Sequence, residues 1–281
     1  MIVVCRLLIL LSVALGPLLT ACYGETASEA SLKVASLMYR PAKWDKDANQ
    51  KALDAAIRKA KAAGAQLIVT PEGALEGYMV NDVRKETGRR RTELTERFNR
   101  VAEPIDGPHV RHFQKLCKEL GVYLVLGLLE ADGDKTFNTA VLIGPAGNVV
   151  GKYRKTHFAQ GYKTGTKKKY NPPGYTRGTD YPVFDVEGRK MGIMICFDRR
   201  VPKVAEQLAK NGASFIVNPA YGMKGDVNRR FISSRAKENK VPVLFVHPDQ
   251  TILATPDGTI EVDERPKKDD PRMRIVTIDT K

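Results

Sequence analysis

The stretch Met191-Gly192-Ile193-Met194-Ile195-Cys196-Phe197-Asp198-Arg199-Arg200 decides the reading of this chain. An apolar run leads to a thiol, and an acid and two arginines follow at once. A short apolar run bounded by charge reads as a buried strand, with Cys196 at its end. Two upstream stretches share the design. Glu72 follows Gln66-Leu67-Ile68-Val69-Thr70-Pro71, and Lys155 lies in Gly151-Lys152-Tyr153-Arg154-Lys155-Thr156-His157. A thiol, a carboxylate and an ammonium thus stand at three predicted strand ends.

Working outward, residues 32–39 alternate as a strand does, and residues 45–63 carry apolar residues at helical spacing before Gly64. Residues 66–70 read as a buried strand. Helices are predicted over 93–101 and 110–120, separated by a Pro/Gly turn at 104–108. Strands follow at 122–129, 138–143 and 149–155, with Gly144-Pro145-Ala146-Gly147 turning the last pair. Residues 158–180 form a long irregular segment rich in Gly, Lys, Tyr and Pro, of the kind used as a lid. A hairpin over 181–186 and 190–196, helices at 202–211 and 227–239, and strands at 213–218, 241–246 and beyond complete the chain. Strands and helices alternate around a hairpin-rich middle, which points to a layered α/β architecture.

The hydrophobic fraction of 42% supports a substantial core and excludes global disorder. The net charge of +14 favours anionic partners. Its tight runs, Arg89-Arg90-Arg91 and Lys167-Lys168-Lys169, come without a recognition motif, so a solvated surface is the reading rather than a nucleic-acid site. No metal-ligand spacing and no phosphate-cradling glycine loop is present. Residues 1–22 read as a targeting segment, apolar from Leu7 to Leu19 apart from Gly16-Pro17 and short for a membrane span. Its end, Leu19-Thr20-Ala21-Cys22, resembles the lipobox of bacterial lipoproteins, with an ordinary secretory signal as the alternative. Cys22 would then carry lipid, residues 23–31 would form a tether, and residues 32–281 the folded domain. That predicts an exported chain held at the bacterial cell envelope. Cys117 sits in a helical pattern and reads as a buried structural thiol, which leaves Cys196 for chemistry.

Thiolate, not thiol, is the nucleophile, so amide cleavage by Cys196 needs a base nearby. Glu72, desolvated behind a buried strand, can serve. Attack on a carbonyl creates an oxyanion, for which Lys155 supplies a fixed charge and Phe197 a backbone N–H. Each such donor is worth about 2.7–4 kcal/mol of transition-state stabilisation. A thioester would form and be hydrolysed by water. Singly, the three residues also fit a solvated cap, a surface lysine and a core thiol.

Together with their flanks they resemble the three signatures of the nitrilase superfamily of carbon–nitrogen hydrolases: Thr70-Pro71-Glu72, Tyr153-Arg154-Lys155-Thr156-His157 and Ile195-Cys196-Phe197-Asp198-Arg199-Arg200. Supporting runs are Arg177-Gly178-Thr179, Asn218-Pro219-Ala220 and Arg235-Ala236-Lys237-Glu238-Asn239. The resemblance covers residues 32 to about 262. It implies a four-layer αββα sandwich, a homodimer or higher homo-oligomer, and a cofactor-free Glu–Lys–Cys mechanism. Two departures stand out. The place of a second active-site glutamate falls near Asn171, with no acid from Thr156 to Thr179. Val246-His247-Pro248-Asp249 also runs almost directly into Thr251, where the family has a longer wall, so the site is expected to be more open or completed by a partner subunit.

The Asp198-Arg199-Arg200 run resembles that of N-carbamoyl-amino-acid amidohydrolases, where the arginines hold the substrate carboxylate, a task suited to the guanidinium fork. Pairing of either arginine with Asp198 or a neighbouring subunit is the alternative. The expected substrate is a linear amide or N-carbamoyl compound with an anionic group. His157 is read as orienting the Lys155 loop beside that substrate site. The nitrilase branch carries Trp-Glu after the cysteine, against Phe197-Asp198 here, which places nitriles behind amides. The rival reading is a non-catalytic envelope protein in which Asn171 and the basic lid bind an anionic ligand.

Overall fold

The computed structural model describes residues 31–159, 174–223, 225–267 and 272–280. The expectations for residues 1–22 and 23–30, for Cys22, for Asn171 and for most of the lid fall outside the described residues. Among those described, no helix is long and apolar enough to cross a membrane.

Among the described residues, twelve strands form two six-stranded sheets. The first has the order β12 (Met273–Ile278), β1 (Leu32–Leu37), β2 (Leu67–Val69), β3 (Tyr123–Asp132), β4 (Lys135–Ile143) and β5 (Val149–Arg154). The second runs β11 (Ile260–Glu264), β10 (Gln250–Ala254), β9 (Val243–His247), β8 (Phe215–Pro219), β7 (Arg189–Ile193) and β6 (Val183–Val186). β1, β2 and β3 are parallel, as are β7, β8 and β9.

Period-two alternation builds the layers, because successive side chains point to opposite sheet faces. In the first sheet Leu32, Val34, Leu67, Val69, Ala140 and Leu142 join one apolar cluster with Ile193, Val217 and Leu244 of the second. Their neighbours Ala35, Leu37, Ile68, Val141 and Ile143 face the other way and pack with α1 (Lys46–Ala62) and α4 (Pro108–Leu120). On the far side, α5 (Pro202–Lys210) and α6 (Val227–Asn239) cover the second sheet, with Val204, Ala205, Leu208, Ile232 and Ala236 in the core. This is the expected αββα sandwich.

The helices follow their local signals. Asp45 caps α1 through a 2.9 Å bond from Ala48 N–H, and Gly64 leaves the helix at φ +87°. Asn49, Leu53, Ile57 and Ala60 form its buried stripe. Asn49 bonds Ala42 and the carbonyl of Leu75, so this helix braces the loop after β2. α4 begins with Pro108 at N1 and ends on left-handed Gly121. Cys117, on its buried face, has its thiol pushed up to about 12 by burial and stays inert. The Arg89–Arg91 run lies on α3 (Gly88–Val101), which starts five residues before the expected helix. A further short helix, α2 (Val80–Lys85), has no sequence forecast.

Candidate active site

Glu72 follows the C-terminal end of β2, and Lys155 follows the last residue of β5. Cys196 departs from the expected strand end: β7 stops at Ile193, and Cys196 opens a 3-10 turn, Cys196–Arg200. Its φ is +49°, a left-handed conformation that costs a non-glycine residue of order 1–3 kcal/mol and survives only where the surroundings hold it. Asn218 on β8 helps by donating to Met194 O at 2.7 Å, and Met194 N–H donates to Val217 O.

The carboxylate and the ammonium meet. Lys155 Nζ lies 2.5 Å from Glu72 Oε1, and both side chains are buried. Asn138 Nδ2 donates to the same oxygen at 2.8 Å, and Tyr221 N–H donates to Oε2 at 3.2 Å. Burial works against the Lys155 charge, yet the negative charges of Glu72, Cys196 and Asp198 outweigh it and hold the ammonium above its ordinary pKa. It is a permanent cation at neutral pH. Among the described residues, Cys196 Sγ has hydrogen-bond contacts to Arg199 Nη1 at 3.6 Å and Gly222 O at 4.0 Å.

Asp198, fully buried, ties the thiol to the ammonium. One oxygen accepts from Ile195 N–H at 2.9 Å and Tyr153 OH at 2.8 Å. The other accepts from His157 N–H at 2.9 Å and Thr156 Oγ1 at 3.3 Å. The residue before the nucleophile and the two residues after the lysine thus share one carboxylate. Arg177 and Gly178 clamp the same loop from outside, through Arg177 Nη1 to Thr156 O and Gly178 N–H to Lys155 O. A side chain at 178 would meet Arg154 O at 2.1 Å, so only glycine fits.

Cys196, Lys155, Phe197 and Asn138 open onto a cavity of about 220 Å³. Tyr78, Phe158 and Tyr175 wall it, and Arg84, Arg199 and Arg200 bring positive charge. No carboxylate is among the described lining residues. Burial, with the charges of Glu72 and Cys196, keeps the Tyr78 phenol well above its ordinary pKa and therefore a donor. Arg200 is half-buried, its guanidinium between the Phe197 and Phe231 rings at 5.0 and 5.3 Å. Arg199 is 1% exposed and bonded to Cys196 O. His157 stands behind the cavity, with Nδ1 2.9 Å from Thr156 Oγ1. Arg199 donates to Cys196 O and Asn228 Oδ1, while the Asp198 oxygens serve the donors above. Sequence reasoning missed Asn138, Tyr78, Arg84 and the tethering by Asp198. It also missed His247, whose Nε2 binds Tyr221 O and so steadies the N–H that serves Glu72.

An αββα sandwich whose thiol, ammonium and carboxylate converge at the ends of facing sheets has the architecture of the nitrilase superfamily. The carbon–nitrogen hydrolase family model matches residues 33–279, and the chain belongs to that family. It is similar to a nitrilase of Pyrococcus abyssi, 35% identical over 211 residues that span 75% of this chain and 72% of that protein. It is similar to an N-carbamoylputrescine amidase of Solanum tuberosum, 29% identical over 216 residues, 73% of this chain and 67% of that one. Among solved structures, Nit3 of Saccharomyces cerevisiae superposes with a TM-score of 0.70 at 22% identity, covering 89% of this chain and 90% of that one.

Proposed function

We propose that the protein hydrolyses a small linear amide or N-carbamoyl compound bearing an anionic group, through a thioester on Cys196. Glu72 takes the thiol proton as Sγ attacks the carbonyl carbon and returns it to the departing nitrogen. The oxyanion is met by Lys155 Nζ and Phe197 N–H. Water, deprotonated by Glu72, then cleaves the thioester, releasing the acid and restoring the thiol. One observation carries this reading: Cys196 and Lys155 share a cavity of about 220 Å³, and the ammonium is bonded to Glu72.

The anionic preference rests on the lining. Arg84 and Arg200 stand among its lining residues and bring positive charge to it. A substrate with an amine tail, such as N-carbamoylputrescine, would meet those cations unfavourably. Arg200, stacked between two rings and so held in place, is the better carboxylate partner of the Arg199–Arg200 pair.

The test is ammonia release from a chain beginning after Cys22, over N-carbamoyl amino acids, short amides and nitriles, beside Cys196→Ala. Release that needs Cys196 supports the hydrolase, and Arg200→Ala should raise KM only for carboxylated substrates. No release at all would favour a binding protein of the same fold. Lipidation at Cys22, residence at the cell envelope and a homo-oligomeric state belong to the same proposal. Mass analysis of the mature N-terminus and light scattering test them.

A further inference from the structure

Arg199 heads the fully buried side chains by volume. Taking a guanidinium out of water costs several kcal/mol, and proteins ordinarily offset this with a carboxylate. Here no described carboxylate lies within ion-pair distance of it. Nη1 donates to Cys196 O at 2.5 Å, Nη2 donates to Asn228 Oδ1 at 2.8 Å, and the plane lies over Phe245 at 5.1 Å. Nε has no partner. These neighbours are neutral and cannot balance a full charge.

One neighbour can become an anion. Cys196 Sγ is 3.6 Å from Nη1, the nitrogen that already holds the Cys196 carbonyl. The other charged or titratable groups around this pair are Lys155 with Glu72, Tyr78, Arg84 and Arg200 on the cavity side, and His247 toward the guanidinium. Lys155 is spoken for by Glu72 at 2.5 Å, so that pair is close to neutral as a unit. Tyr78 and His247 are uncharged at neutral pH, the first held well above its ordinary pKa and the second pushed down to about 4 by burial. Arg199 is the guanidinium that reaches the thiol, with Nη1 3.6 Å from Sγ and no described carboxylate paired to it.

We infer that Arg199 is a positioning residue of the nucleophile rather than a substrate ligand. It holds the left-handed Cys196 backbone by its carbonyl and sets its guanidinium 3.6 Å from the sulfur. A substrate carboxylate could take its fork only by breaking the bonds to Cys196 O and Asn228. The assignment rests on Cys196 being the nucleophile, but its test uses no substrate, so failed hydrolysis leaves it readable.

The experiment is alkylation of Cys196 by iodoacetamide in the full chain, followed by peptide mass spectrometry, for Arg199→Gln and Arg199→Lys. Glutamine can still donate to the Cys196 carbonyl but has no charge. We expect its alkylation rate at pH 7 to fall about tenfold, the effect of roughly one charge interaction near a protein surface. The gap should close at pH 10, where any thiol ionises. Arg199→Lys should stay within about threefold of wild type at pH 7, because the charge remains. A wild-type rate in Arg199→Gln at pH 7, or equal slowing at both pH values, would overturn the inference. If the glutamine variant does not fold, the lysine variant decides: about tenfold slowing at both pH values would overturn it.

Discussion

Lys155 Nζ sits 2.5 Å from Glu72 Oε1, with 4% and 0% of the two side chains exposed. Removing one member of such a pair strands the other as a buried charge, at about 3–5 kcal/mol. Lys155→Met should therefore unfold at markedly lower urea. The double variant Glu72→Gln/Lys155→Met should lose less than the two single losses combined, by roughly 1–3 kcal/mol. Additive losses would show that the pair is not coupled in solution.

Asp198 accepts four hydrogen bonds, and an amide in its place turns one acceptor into a donor. Asp198→Asn should set that NH2 against either Ile195 N–H and Tyr153 OH, or His157 N–H and Thr156 Oγ1. About 1–3 kcal/mol of stability should go with each donor stranded. Because the change displaces the lysine or the thiol without touching the cavity wall, kcat should fall about a hundredfold while KM stays within a few-fold. A KM effect alone would contradict this.

Two buried groups should give stability opposite pH slopes. Burial pushes the Glu76 carboxyl up to about 7, with the charge of Glu72 adding and Lys46 opposing. The native state therefore keeps a proton that the unfolded chain has lost above about 4.5, and stability falls as pH rises through that window. The loss is roughly 3 kcal/mol by pH 7. Burial pushes His247 down to about 4, so there the unfolded chain binds the extra proton and stability rises from about pH 4 to 6.5. Glu76→Gln should match wild type near pH 4.5 and exceed it progressively toward pH 7.5 in urea denaturation. A constant difference across pH would refute the buried-acid account.

Gly178→Ala puts a methyl group 2.1 Å from Arg154 O. The backbone must shift next to Lys155, with a stability loss of about 1–3 kcal/mol. Turnover should fall further than Tm suggests, because a displacement of about 1 Å at the ammonium can cost a hundredfold in rate. Gly188→Ala, where a side chain meets open space but φ is +76°, shows what backbone strain costs without a clash, whereas the loss at Gly178, outside the positive-φ region, is steric.

Much of this was legible because it depends on local pattern. The strand ends before Glu72 and Lys155, the α1 boundaries and the Gly144–Gly147 turn all follow from periodicity and capping. What was not legible depends on neighbours brought from afar. Asp198 reads as an acid beside two arginines, and nothing local says that its partners are Tyr153, Thr156 and His157. Arg199 carries a charge that ordinarily keeps a side chain at the surface, yet a cage from Asn228 and Phe245 buries it. Asn138 reads as one polar residue in a strand until the sheet sets it against Glu72. α2 is six residues long with no side-chain bond at its N-cap, too short for a periodic signal. The end of β7 at Ile193, three residues before the thiol, follows from the 3-10 turn that Asp198 stabilises from within.

β1 lies between β2 and β12, with Leu32 opposite Ile278 and Leu37 opposite Met273. On the ribosome the first strand is made early and its outer neighbour late, so one row of its amides and carbonyls waits unpaired through most of synthesis. Such an exposed edge is a template for another chain, and long-range pairing of this kind is slow. A nascent chain stalled before Met273 would present that edge, which makes arrested translation products, rather than the finished enzyme, the species most in need of chaperones.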